Sequence, residues 1–187
     1  MTSLRSAQRG SSLLEVLIAI LIMSFGLLGL AGMTASSLQY SKMAQYQTVG
    51  TQLASAYGES MRANVAGFSD GHYELTAAYT GATFNVAVPT CTNAARCSAA
   101  ELAAIDRAQW TNDLRRRLPG GGAYVSRDTA NNALAADVWV MWADPGLGFG
   151  ASNLSVAEGG NQCPEAALAG LASTVAVPRC MFFRISL

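Results

Sequence analysis

From Val16 to Ser41 the chain runs 26 residues without a charge, and a lone carboxylate, Glu15, stands at the head of that run. As an α-helix the run is about 39 Å long, against about 30 Å for the hydrocarbon core of a bilayer. It is long enough to cross a membrane with length to spare. Arg5 and Arg9 precede it, with no acid among the first ten residues, and the next cations are Lys42 and Arg62. The positive-inside rule then keeps the N-terminus in the cytoplasm and exports the rest.

Glu15 does not suit a plain membrane anchor. An ionisable side chain in lipid is costly and usually functional. Cleavage after Gly10 would make Ser11 the new N-terminus, with a free α-amino group. Glu15 would then lie four residues on, along the same helical face. Its carboxylate can answer that amine in its own chain or in a neighbour, neutralising charge and setting axial register during assembly. An ordinary secretory signal has an apolar region of about 7–15 residues and a small-residue cut site. A cut after Ala35, in Met33-Thr34-Ala35, mimics such a site weakly but leaves Gly10 and Glu15 without a purpose.

Arg9-Gly10, then Ser11-Ser12-Leu13-Leu14-Glu15, then Val16-Leu17-Ile18-Ala19-Ile20, resembles the class III signal of type IV pilins and type II secretion pseudopilins. That resemblance implies a prepilin peptidase cutting between Gly10 and Ser11 and methylating the new amine of Ser11. It also implies a role for Glu15, the fifth mature position, in recruiting subunits. The chain departs from the family at the first mature position, where Ser11 stands in place of the usual phenylalanine. The domain plan that follows is a leader over 1–10, a transmembrane and filament-core half-helix over 11–41, and a periplasmic globular domain over 42–187 that includes the outer half of the helix.

Met43, Tyr46, Val49, Leu53, Tyr57 and Met61 recur at steps of three or four, so the helix is predicted to continue to about Asn64 with one apolar stripe. Gly26, Gly29 and Gly32 each lower helix propensity by nearly 1 kcal/mol relative to alanine. They either let neighbouring helices approach closely or mark where the helix softens inside a filament. Gly26-Leu27-Leu28-Gly29-Leu30-Ala31-Gly32 also resembles the PilV branch of minor pilins.

Beyond the helix, Tyr73–Leu75 and Thr83–Val88 read as short strands flanking Thr80-Gly81, with His72 in a loop. Ser98-Ala99-Ala100-Glu101 is a capping box. It opens a helix whose apolar stripe is read as Leu102, Ile105, Trp110, Leu114 and Leu118, stopped by Pro119-Gly120. Ala123–Asp128 and Asp137–Trp142 read as strands, with Asn131-Asn132 between them, a turn at Asp144-Pro145-Gly146, and a loop over 146–160. Cys180–Leu187 reads as a last strand. A helix with one apolar stripe and a sheet with one apolar face must cover each other. The expected fold is therefore α+β and pilin-like: the long N-terminal helix on a small antiparallel sheet of three or four strands, with a second short helix at its flank.

Cys91, Cys97, Cys163 and Cys180 are an even set, which in an exported chain reads as disulfides with three possible connectivities. Proximity favours Cys91–Cys97 and Cys163–Cys180. The five-residue spacing of the first pair is neither a redox nor a zinc-ribbon spacing, and the chain has one histidine. Asp137 and Asp144 could form a calcium site with loop carbonyls, but ordinary turn and surface roles suit them better. No metal, cofactor or catalytic residue is expected, because the chain lacks a nucleophile with a paired base, a phosphate-cradling loop and metal-ligand spacing. Lys and Arg together number 12, as do Asp and Glu. No global basic surface exists for nucleic acid, and Arg115-Arg116-Arg117 suits the negative end of a helix.

The resemblance implies a non-enzymatic minor pilin that primes assembly near the tip of a type IV pilus. Its partners would be the prepilin peptidase, other minor and major pilins, the inner-membrane assembly machinery and, as a candidate, a tip adhesin. The precursor would be a single-pass inner-membrane protein, and the mature protein part of an extracellular filament. A minor pseudopilin of type II secretion shares the N-terminal motif. A signal-anchored periplasmic binding protein or enzyme is the reading from another class.

Overall fold

The computed structural model describes residues 12–93, 96–130, 132–143, 163–175 and 177–187. Gly10, Ser11, Asn131, the Asp144-Pro145-Gly146 turn and the 146–160 loop lie outside them. The element order is α1 (Leu13–Ala63), α2 (Val65–Ser69), α3 (Ala99–Arg117), β1 (Gly122–Arg127), β2 (Ala135–Trp142), α4 (Glu165–Leu168) and β3 (Arg179–Ser186). The chain divides between Lys42 and Met43 into two compact units.

The first unit is the inner part of α1. Its large side chains from Leu13 to Leu38 are exposed all round, Leu13 to 89%, Phe25 to 68% and Met33 to 73%. Three hydroxyls in this part fold back on the helix: Ser24 onto the Ile20 carbonyl, Thr34 onto Ala31 and Ser36 onto Gly32. These bonds keep the polar groups satisfied without water, as a helix in an apolar medium requires. A Cβ added at Gly26, Gly29 or Gly32 would meet nothing within 4 Å, so whatever these glycines accommodate belongs to another molecule or to the helix backbone itself.

The second unit is a two-layer α+β domain. Its sheet has the order β1-β2-β3 and is antiparallel throughout. The outer part of α1 puts Leu53, Tyr57 and Met61 against the sheet and α3, all at most 2% exposed, with Tyr46 and Val49 packed at the rim. From the sheet come Val125 of β1, Val138, Val140 and Trp142 of β2, and Ile185 of β3. Each such side chain contributes roughly 1.5–3 kcal/mol through burial, so the stripe read from the sequence is where the domain gains its stability. Gly58 lets β3 approach the helix: a Cβ there would stand 3.2 Å from Ile185 Cγ2.

Two sequence readings need correction. First, Tyr73–Leu75 and Thr83–Val88 form no strands. Leu75 makes a single bridge to Val125, and the 83–88 segment bends at Phe84 with its backbone answered by α3. Asn112 accepts from the Val86 N–H at 2.7 Å and donates to the Val86 carbonyl at 2.9 Å, while Arg115 donates to the Phe84 carbonyl. Side chains of α3 do here what a neighbouring strand would do.

Second, the stripe of α3 is turned from the one expected. Leu102 is exposed and Ile105 half-buried, whereas Ala103, Trp110 and Leu114 are buried, followed by Leu118. The inner face runs through Asp106, a polar residue with a dedicated partner. The helix start is as read. Ser98 Oγ accepts from the Glu101 N–H at 3.2 Å, and the Glu101 carboxylate accepts from the Ser98 N–H at 2.8 Å.

The opposite sheet face is covered at one end by a smaller cluster of Tyr79, Met141 and Ala167. Tyr79 is tied there by its N–H to the Ala167 carbonyl at 2.7 Å and by its hydroxyl to the Gly120 carbonyl at 2.7 Å.

Candidate functional site at the N-terminal helix

The candidate site is the start of α1. Ser12 caps it: its carbonyl accepts from the Glu15 N–H at 3.0 Å and the Val16 N–H at 3.3 Å, and its hydroxyl accepts from the Glu15 N–H at 3.2 Å. The helix therefore begins at Leu13, two residues past the Ser11 at which a new terminus is expected. Glu15 occupies the first turn, exposed, where an acid suits the positive end of the macrodipole. Behind it lies an uncharged cylinder long and apolar enough to cross a membrane. A carboxylate heading such a surface is tolerated at a lipid headgroup boundary or beside a cation, but is disfavoured in hydrocarbon.

Residues 5–31 match the prokaryotic N-terminal methylation motif. That motif is the class III signal peptide of type IV pilins, and it supports a place for this chain among the pilins and pseudopilins. The match takes in Gly10, Ser11 and Glu15 and ends within the inner part of α1. It implies processing by a prepilin peptidase and assembly with other pilins, and together with the apolar helix it fits a membrane-anchored precursor. A pilin-type N-terminus also points to a structural role. No curated protein and no solved structure shows a significant match to the chain.

The remaining candidate residues lie in the second unit and serve the domain. Cys91 is joined to Cys97, and Cys163, just before α4, is joined to Cys180 in β3. The first disulfide sits beside the N-terminus of α3, where Glu101 also gathers the Thr92 hydroxyl and N–H. Donation from Thr92, then from the Ser98 N–H, lowers the Glu101 carboxyl to about 2. His72 lies half-buried in the turn after α2. Arg115, Arg116 and Arg117 are in the last turn of α3 and bond to the Phe84 carbonyl, Asp113 and Gln52. Asp137 pairs with Arg184 at 3.0 Å, and its proposed companion Asp144 lies outside the described residues. Among the described residues no three His, Cys, Asp or Glu side chains group to hold a metal.

The sequence reading missed a buried polar junction at the end of α1. Asn64, 7% exposed, caps α2 by accepting from the Gly67 N–H at 3.1 Å, and donates to the Ala99 carbonyl at 2.8 Å and to Tyr73 Oη at 3.2 Å. The Tyr73 hydroxyl in turn donates to the Asp106 carboxylate at 2.5 Å. A Cβ on Gly67 would meet Asn64 Nδ2 at 2.5 Å and the Ala99 carbonyl at 2.8 Å, so only glycine fits. Above this junction Tyr57 stacks on Trp110, with ring centroids 3.9 Å apart, and donates to the Tyr73 carbonyl at 2.7 Å. Trp110 Nε1 donates to the Leu53 carbonyl at 2.8 Å. Burial pushes the hydroxyls of Tyr57 and Tyr73 well above the ordinary phenol range, Tyr73 further so by its bond to Asp106. A sequence signal for the cap existed: Asn at the end of one helix, three residues before Gly67.

Proposed function

We propose that this chain is a minor type IV pilin of the PilV kind, which helps prime the filament and resides near its tip. In this reading a prepilin peptidase cuts after Gly10, the Ser11 amine is methylated, and the protein waits in the inner membrane until α1 leaves lipid for a bundle of like helices. Burial in that bundle replaces the lipid contacts of the apolar cylinder. Small residues at Gly26, Gly29 and Gly32 then permit close helix approach. Glu15 is the charge that must be answered in the bundle, and the freed amine of Ser11, one turn away, is the cation suited to it.

The observation that carries this reading is Glu15 on the first turn of a long apolar helix, five residues after Gly10 and inside the matched motif. Glu15→Ala should leave the precursor in the membrane and folded yet reduce its recovery in sheared pili severalfold. Equal recovery of variant and native protein would remove the role assigned to Glu15.

A further inference from the structure

The two edges of the sheet are finished differently. On β1 the outward-facing backbone is partly taken: Val125 exchanges both of its bonds with Leu75, at 3.0 and 2.8 Å, and the Arg127 N–H donates to Glu74. On β3 the register fixes which groups point outward. Leu187 donates to the Leu134 carbonyl, so the odd-numbered residues of β3 face β2. Backbone groups alternate sides along an antiparallel strand, so the N–H and C=O groups of Cys180, Phe182, Arg184 and Ser186 face away from the sheet. Arg62 takes the Ser186 carbonyl at 2.8 Å. Among the described residues no strand pairs with the rest of this edge. The edge spans eight residues without proline or lysine; of its two arginines, Arg184 is drawn over the sheet by Asp137 and Asp128. Beside it, a cavity of about 250 Å³ opens between α1 and β3, lined by Ala54, Ser55, Gly58 and Ile185 together with the charged Glu59, Arg62 and Arg184.

We infer that the outer edge of β3 is a strand-acceptor site, taking an extended segment from a neighbouring pilin subunit of different sequence. The chemistry of the edge selects an extended backbone, because alternating donors and acceptors in that spacing are matched by another strand. The mixed lining of small and charged residues suits short polar side chains on the inward-facing positions of that strand.

A second copy of this chain fits less well. Its β1 edge is interrupted at Val125 and Arg127 by Leu75 and Glu74, so its own β3 is the one long edge it has to offer. Joining two β3 edges requires a two-fold axis. That axis either turns the two α1 segments beneath the sheets antiparallel or sends them to opposite sheet faces. Subunits drawn from one membrane into one helix bundle keep their helices parallel and on the same side of their sheets, which neither arrangement allows.

This inference rests on the pilin reading above, and the test separates the two. Amide hydrogen exchange of the peptide covering 179–187 is measured on the full chain in detergent and on the same chain in sheared pili. The Phe182 and Arg184 amides should exchange at least tenfold more slowly in the pili. Equal exchange in both states overturns the strand-acceptor site while leaving the pilin reading intact. The same protection in detergent on raising the chain concentration alone assigns the edge to a second copy and overturns the inference. Absence of the native chain from pili overturns both.

Phe182→Pro provides a second test, since it deletes an outward N–H while sparing the bonds to β2. Phe182→Ala controls for the lost ring, which contacts Trp139. Phe182→Pro should reduce recovery in pili at least fivefold relative to Phe182→Ala, with both variants retaining the Cys163–Cys180 disulfide. Equal recovery overturns the inference. Loss of the disulfide in Phe182→Pro leaves the exchange measurement to decide.

Discussion

Replacing Asn64 by alanine probes how the end of α1 is locked to the rest of the domain. The side chain accepts one hydrogen bond and donates two, in a setting 7% exposed to solvent. Loss of an N-cap costs about 1 kcal/mol, up to about 2 when the freed amide is buried, and the Gly67 amide is buried. The two donated bonds add about 0.5–1.5 kcal/mol each. The Tyr73 hydroxyl keeps Asp106, and the Ala99 carbonyl lies in the first turn of α3, so neither is stranded. The sum is about 2–5 kcal/mol.

The assay is urea unfolding of the fragment starting at Met43, which carries the whole core, followed by tryptophan fluorescence. In thermal unfolding of the same fragment the melting temperature should fall by about 10 °C for a domain of this size. Asn64→Asp is the sharper variant. It preserves the cap acceptor but turns the donor into a carboxylate facing the Ala99 carbonyl, close to Asp106. At neutral pH it should lose at least as much as alanine and regain part of the loss in acid. A change below about 0.5 kcal/mol in Asn64→Ala, or a neutral-pH Asn64→Asp as stable as native, would refute the locking role.

Three further outcomes follow from the structure. The paired Cys163→Ser and Cys180→Ser variant should lose about 3 kcal/mol in the same unfolding assay, as the 17-residue separation implies on the chain-entropy model; an unchanged midpoint would count against that staple. The Glu101 carboxyl is held near 2 from an ordinary 4.5, so its contribution is complete above about pH 4.5 and is lost as pH falls toward 2; Glu101→Gln should flatten that acid limb, and an identical limb would contradict it. The raised Tyr57 and Tyr73 hydroxyls stay protonated in the fold above pH 10 while the unfolded chain ionises. Stability should therefore fall there by up to about 1.4 kcal/mol per pH unit for each, and Tyr73→Phe should reduce that slope.

The parts of this protein readable from sequence are those fixed by local periodicity or local chemistry. The stripe Leu53-Tyr57-Met61 repeats every four residues, and the Ser98–Glu101 box closes on itself within one turn. Val138, Val140 and Trp142 alternate along β2. The parts that were not readable depend on contacts distant in sequence. Thr83–Val88 has strand-like composition, but its backbone partners are Asn112 and Arg115, and nothing within the segment announces a helix as its neighbour. Leu102 drew the stripe of α3 to the wrong side because a large apolar residue outweighs Ala103 in any pattern. Asp106 was passed over because its value comes from Tyr73, 33 positions away. At the candidate site the same division holds. Glu15 stands out because an acid is foreign to its surroundings. The β3 edge, which no strand among the described residues covers, is invisible until the register of the sheet is known.

The central claim is that Glu15 serves a terminus created by cleavage after Gly10, in a protein that leaves the membrane for a filament. Intact mass spectrometry of the chain recovered from sheared pili tests it most directly. The account predicts a species beginning at Ser11, heavier by one methyl group, with all four cysteines oxidised in pairs. A species still beginning at Met1, or one trimmed near Ala35 and found free of pili, would contradict it.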